Sequence, residues 1–264
     1  MYQTVCENFV EKVAYVARRL PSMTVMEESS FIAVDCGLPS DTFNVIVASS
    51  LLAPEHIVGT GIEHFIAKRW PVAMWYWEDS VNTRVVDTLS AYGLELTETH
   101  MAMAANLRMA RLMVSAPQGL TIKPVIDTGE LRQYGAVIAS LFGARDEGQQ
   151  VRAYFDLLSQ YSMDHFSALR AYIGINNGEA VATGSLFLGH GAIGIYDIVT
   201  RDEYRRQGIG SAMFAHLIEE ARQFQHRYAV LQASPDGSSI YRKAGFNPVG
   251  MVHTFENRAF LNAL

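Results

Sequence analysis

Residues 195–210 read Ile-Tyr-Asp-Ile-Val-Thr-Arg-Asp-Glu-Tyr-Arg-Arg-Gln-Gly-Ile-Gly. An apolar stretch, Ile195 to Thr200, runs into a polar turn that delivers Arg205, Arg206 and Gln207, then Gly208, Ile209, Gly210 and Ser211. Beyond the turn, Ile209, Ala212, Met213, Leu217, Ala221 and Phe224 recur at near-helical spacing, with Glu219, Glu220, Arg222 and Gln223 opposite. Glycines let a backbone pass close to a ligand. The first amides of a helix lack partners and sit at the positive end of its dipole, which suits a pyrophosphate. Arginine adds full charge and forked donors. The plainer reading is a tight strand-to-helix turn with a solvated basic edge. Strand, Arg-x-x-Gly-x-Gly and amphipathic helix in that order favour phosphate binding.

At these residues the chain resembles the GNAT superfamily of acyl-CoA-dependent N-acyltransferases. The family signature, Arg/Gln-x-x-Gly-x-Gly/Ala after a central strand, is matched by Arg205-Arg206-Gln207-Gly208-Ile209-Gly210. Downstream, the strand-like Tyr228 to Ser234 precedes Ser238-Ser239-Ile240-Tyr241-Arg242-Lys243-Ala244-Gly245-Phe246. That segment resembles the family's second signature, a short helix carrying Tyr and closing on Gly-Phe, with Gly245 as the helix-ending glycine. The resemblance covers residues 120–264 and is weaker before them.

The resemblance implies an acetyl-CoA-dependent N-acetyltransferase acting on a small-molecule or peptide amine by direct attack. CoA's pyrophosphate would lie over the amides of Arg206 to Ser211. Its pantetheine arm would run along the strand edge at Ile198, Val199 and Thr200, which requires that strand to part from the one at 228–233. Tyr241 stands at the family's tyrosine position and would donate a proton to the departing sulfur. The alternative is a tyrosine that packs or bonds the adenine side. Asp197, on the key strand, is the candidate base or a structural hydrogen-bonder. Alternation along the strand sends its neighbour Tyr196 to the opposite face. Asp164 and His165 could reach the substrate or decorate the surface. No Ser/His/Asp nucleophile arrangement is legible.

Around this site the second half reads as a mixed α/β sheet covered by helices. Leu131 to Phe142 and Val151 to Ser159 have helical patterns; Leu169 to Ile175 and Ala180 to Leu188 have strand patterns. Asn176-Asn177-Gly178 joins those strands as a hairpin, because both turn positions tolerate positive φ. Gly189-His190-Gly191-Ala192-Ile193-Gly194 matches Gly-x-Gly-x-x-Gly, but a strand follows it rather than a helix, so it reads as a glycine turn.

Pro117 and Gly119 mark a seam between a domain at 1–116 and a catalytic domain at 121–264. The first half repeats the second in outline. Asn44 to Val47 is strand-like, Gly59-Thr60-Gly61 leads to a helix at Ile62 to Arg69, Val72 to Trp77 is a strand, and a helix from Ser80 to Tyr92 closes on Gly93-Leu94. Setting Gly93 against Gly245 puts Leu89 where Tyr241 stands, and no arginine turn precedes Gly61. The expectation is two tandem GNAT-like halves, the first degenerate, as a monomeric pseudo-dimer or a homodimer. An unrelated α/β domain with the same element order is the competing reading. Trp75, Tyr76 and Trp77 could wall a substrate site or fill a core.

At 264 residues the chain accommodates one large or two ordinary domains. Its net charge of −6 argues against a nucleic-acid partner. No apolar run approaches the roughly 20 residues that span a bilayer, and no basic segment leads an apolar core near Met1. Cys6 and Cys36 lack metal or redox spacing, the eight histidines form no ligand motif, and no metal is expected. Together these point to a cytoplasmic protein. A non-catalytic acyl-CoA-binding regulatory or interaction module is the rival class. The acceptor stays open among polyamine, amino acid, aminoglycoside, peptide N-terminus and lysine.

Overall fold

The computed structural model describes residues 1–28, 31–49, 61–78, 81–235 and 237–262; Gly59, Thr60 and Ser80 lie outside them. The first half comprises α1 (Tyr2–Ala17), β1 (Thr24–Glu27), β2 (Phe31–Asp35), β3 (Val45–Ser49), α2 (Glu63–Lys68), β4 (Ala73–Trp77), α3 (Thr83–Ala91) and β5 (Glu95–Asn106). The second comprises β6 (Leu120–Pro124), α4 (Thr128–Ala139), α5 (Asp146–Leu158), β7 (Leu169–Asn176), β8 (Glu179–Leu188) and β9 (Ile193–Thr200). It continues with α6 (Ile209–Ala221), β10 (Tyr228–Ala233), α7 (Ser238–Lys243), β11 (Asn247–Glu256) and α8 (Arg258–Asn262). β6 is a strand that the sequence pattern does not announce. Only five residues long, it is held by pairing with β7 rather than by its own periodicity.

Local chemistry explains many boundaries. Asn82 caps α3 by accepting from the Val85 amide at 3.0 Å, so that helix starts after Asn82. Asp127 caps α4 through the Glu130 amide at 2.8 Å, while Glu130 accepts from the Ile126 amide at 2.9 Å. Asn177 (φ 50°) and Gly178 (φ 86°) form the β7–β8 turn with the two positive φ values its sequence suggests.

The described strands form one mixed sheet in the order β1-β2-β3-β4-β11-β5-β10-β9-β8-β7-β6. The halves exchange their last strands across its centre. β5 pairs antiparallel with β10 of the second half, and β11 with β4 of the first, while β5 and β11 pair with each other. The helix before each exchanged strand ends alike. Gly93 and Gly245 take φ of 78° and 92°, and the Leu94 and Phe246 amides donate to the Leu89 and Tyr241 carbonyls, each at 3.0 Å. Leu89 and Tyr241 therefore occupy equivalent places.

Among the described residues, three apolar cores follow from this topology. The largest lies on one face under α1, α4 and α5 and runs through both halves. A second packs α6 against the sheet and includes Met103 and Ala105 of the exchanged β5. A third packs the first half's helices and includes Phe255 of the exchanged β11. Charge also ties the halves. Arg258 Nη2 donates to Asp41 Oδ1 at 2.6 Å and to Glu147 Oε2 at 2.7 Å, and Nε donates to Asp41 Oδ2 at 2.8 Å. Glu147 also accepts from the Ser40 and Thr42 hydroxyls, at 2.6 and 2.5 Å. No described helix is long and apolar enough to cross a membrane.

Burial holds His100, His216 and His253 below their ordinary pKa, with His253 adding to the effect on His100 and Glu98 opposing it. Bases depressed in the fold bind more protons when unfolded, so stability falls as pH drops below about 6.5. Urea midpoints should therefore decrease from about pH 7.5 to about pH 5.5. A flat or inverted profile contradicts the neutral state of these rings.

Candidate active site

β9 and β10 are parallel neighbours only at their starts. Ile193 pairs with Ala229 and Gly194 with Val230, and no further pair forms among the described residues. β9 then runs on to Thr200 and β10 to Ala233, so the sheet parts toward the C-terminal ends of both strands. The matching strands of the first half do not part: β3 and β4 stay paired from Val45–Ala73 to Ser49–Trp77. An open strand edge can take backbone hydrogen bonds from an extended, amide-bearing ligand. The C-terminal ends of parallel strands are also where helix N-termini collect.

The turn after β9 arrives at that open end. Arg206 (φ 59°) and Gly208 (φ 81°) adopt left-handed backbone; only glycine does so without cost. Gly208 precedes α6, whose first turn has no side-chain cap and no acidic residue among the described residues. Its leading amides therefore lack a capping side chain, the condition under which a helix start suits an anion. Arg205 braces the turn instead of standing free: Nε donates to the Thr200 carbonyl at 3.2 Å and Nη1 pairs with Asp202 at 3.0 Å. Gln207 likewise bonds the Glu203 carbonyl at 3.1 Å. Arg206 is exposed. A Cβ on Gly210 would stand 3.3 Å from Thr200 Oγ1, so this glycine keeps the helix start close to the end of β9.

Residues 138–246 match the family model described as "Acetyltransferase (GNAT) family". This is a GNAT domain. A GCN5-related N-acetyltransferase from Kribbella flavida superposes with a TM-score of 0.65 at 16% identity, covering 96% of this chain and 95% of that one. A tandem GNAT protein from the clavulanic acid biosynthesis pathway gives 0.55 at 12% identity, over 96% and 94%. A GCN5-related N-acetyltransferase-like protein from Streptococcus suis 89/1591 gives 0.56 at 13%, over 96% and 95%. These likenesses carry the fold, a mixed α/β architecture of two GNAT-like halves. No curated protein matches the chain.

Within the GNAT fold, Asp197 sits at a β-bulge. The β8–β9 register slips between Thr183 and Ser185, and Asp197 takes φ 55°. The bulge overturns the expected alternation. Tyr196 and Asp197 both face α1, where the Tyr196 hydroxyl donates to Asn8 Oδ1 at 2.7 Å and Lys12 Nζ reaches Asp197 Oδ1 at 3.3 Å. Asp197 Oδ2 accepts from Ser185 Oγ at 2.7 Å and from the Tyr134 hydroxyl at 3.3 Å. Burial, then the Asp197 charge, pushes the Tyr134 phenol well above its ordinary value, so it stays a donor. Asp197 lines a cavity of about 120 Å³ between α1, α4, α5 and the sheet. Lys12 was not legible as a partner, because 185 residues separate it from Asp197.

Tyr241 follows β10 on α7, with its ring 4.7 Å from that of Phe214 at 74°. Burial raises its pKa, so the hydroxyl keeps its proton at neutral pH. Other sequence candidates fall outside the cavity. Asp164 and His165 are exposed on a 3-10 turn, with His165 Nε2 at 3.1 Å from the Arg19 carbonyl; Met163 and Phe166 beside them do line the cavity. Tyr76 and Trp77 are buried in cores, and Trp75 stacks on His100. Burial pushes the thiols of Cys6 and of Cys36, a cavity liner, up to about 12, which removes thiolate reactivity at neutral pH.

Proposed function

We propose that this protein is an acetyl-CoA-dependent N-acetyltransferase whose active site lies in residues 121–264, with residues 1–116 as a degenerate GNAT-like partner. The observation that carries the reading is the parting of β9 from β10 beside the uncapped start of α6, set against the fully paired β3 and β4. Acyltransfer is the chemistry of the GNAT acetyltransferase family, and acetyl-CoA its acyl donor.

In this reading the amides from Arg206 to Ser211 hold the pyrophosphate, and the edge at Ile198 to Thr200 binds pantetheine and polarises the thioester. The acceptor ammonium gives one proton to Asp197 or to water. Its nitrogen bonds to the thioester carbon, the C–S bond breaks, and the sulfur takes the Tyr241 proton. The nitrogen loses a second proton, leaving amide, CoA thiol and one net proton in solution once Tyr241 is reprotonated. Retention of Tyr241 favours this enzyme over a non-catalytic acyl-CoA binder, since its counterpart Leu89 has no proton to give.

Titration calorimetry with acetyl-CoA tests the assignment. One site per chain is expected. Gly210→Val should weaken binding by more than about tenfold, or 1.4 kcal/mol, because branched methyls would occupy the approach to the α6 amides. Two sites per chain, or wild-type affinity in Gly210→Val, would refute it. Release of CoA across an amine panel separates the enzyme from the binder.

A further inference from the structure

The cavity beside Asp197 is walled by apolar side chains from both halves: Val13 and Val16 of α1, Val34 and Val45 of β2 and β3, Leu131 of α4 and Phe155 of α5. Its volume is about 120 Å³. A dry apolar cavity of about 150 Å³ holds a benzene ring. This cavity therefore suits one ring or one short branched alkyl group.

Among the described lining residues, only Lys12 and Asp197 carry charge. They face each other at 3.3 Å and keep 23% and 28% of their surface exposed. Lys12 Nζ also lies 5.2 Å from the centre of the Tyr196 ring. Asp197 is held from the far side by Ser185 and Tyr134, so its carboxylate is fixed while the lysine on its flexible stem can move. A simple ammonium arriving at Asp197 would meet the Lys12 charge, and like charges at that separation oppose each other. A polyamine would add further cations where the other described polar liners, Cys36, Thr42, Tyr134 and Tyr154, are uncharged and no second carboxylate pairs them. A ligand with an ammonium and a carboxylate on the same carbon would open the Lys12–Asp197 pair and satisfy both ends.

We infer that the acceptor is a small α-amino acid with an apolar side chain. Its ammonium meets Asp197, its carboxylate meets Lys12, and its side chain fills the cavity. The inference rests on the acyltransferase reading above. It makes Lys12 a specificity-determining residue supplied by the first half, so the degenerate half completes the acceptor site.

The test uses the full chain with acetyl-CoA, following CoA release and the melting temperature of the CoA complex. L-leucine and L-phenylalanine are compared with isopentylamine and phenethylamine, which lack only the carboxylate, and with spermidine. The amino acids should exceed their decarboxylated counterparts in kcat/KM by about tenfold or more, the size of one charged hydrogen bond. Lys12→Met should collapse that ratio toward one, mainly through KM, and Lys12→Arg should restore it. Lys12→Gln serves if the Met variant does not fold. Equal use of amine and amino acid, preference for spermidine, or an unchanged ratio in Lys12→Met would overturn the inference while leaving acyltransfer standing. If acetyl-CoA binds and no amine releases CoA, the acyltransfer reading fails by itself. Stabilisation of the CoA complex by leucine or phenylalanine, lost in Lys12→Met, would then support the amino-acid site, and its absence would overturn it.

Discussion

Tyr241→Phe is expected to lower kcat by about 10²–10⁴-fold, the usual range for a lost general acid, and to leave acetyl-CoA affinity nearly unchanged. The hydroxyl matters when the C–S bond breaks and negative charge appears on sulfur, not when CoA docks. Burial keeps the phenol protonated at neutral pH, and the Phe214 ring packs against its ring at 4.7 Å. Phenylalanine preserves that packing and the carbonyl that accepts from the Phe246 amide, so the change isolates the oxygen. Single-turnover kinetics supply the measurement. An unchanged chemical step removes Tyr241 from the mechanism; a large loss of CoA affinity assigns it to binding instead.

The second large effect falls on stability. Arg258→Met should cost about 3 kcal/mol in urea denaturation at neutral pH, the lower end for breaking a buried ion pair. Arg258 is a third exposed, but Asp41 and Glu147 keep only 10% and 2% of their side-chain surface in contact with water. Without the guanidinium, two buried carboxylates are left together. Burial, then Glu147, already raises Asp41 above its ordinary value against the pull of Arg258. In the variant that rise should grow. A carboxylate raised in the fold adds stability at low pH and loses it as pH climbs through the folded pKa. The deficit should therefore be smaller at about pH 4.5 than at pH 7. An equal deficit at both values would mean that lost packing, not charge, is the cause.

Where structure depends on a residue and its near neighbours, it was legible in the sequence. The Arg205–Gly210 turn, the helix after it, the hairpin at Asn177-Gly178 and the glycine ends at 93 and 245 all follow from φ preferences and apolar periodicity. The GNAT fold and the repeat were implied by the resemblance of Arg205–Gly210 and Ser238–Phe246 to the family's two signatures, and setting Gly93 against Gly245 placed Leu89 opposite Tyr241. Alternation failed at Tyr196 and Asp197, because one left-handed residue in β9 turns two successive side chains to the same face. Long-range pairing decided the rest. Whether neighbouring parallel strands part depends on their partners across the sheet, and β9–β10 and β3–β4 differ in this without any local mark. The exchange of β5 and β11 is equally silent, because either strand offers the same backbone donors and acceptors to either neighbour. The meeting of Lys12 with Asp197 joins side chains 185 residues apart, through the packing of α1 over the bulge. Only the folded chain could bring them to one cavity.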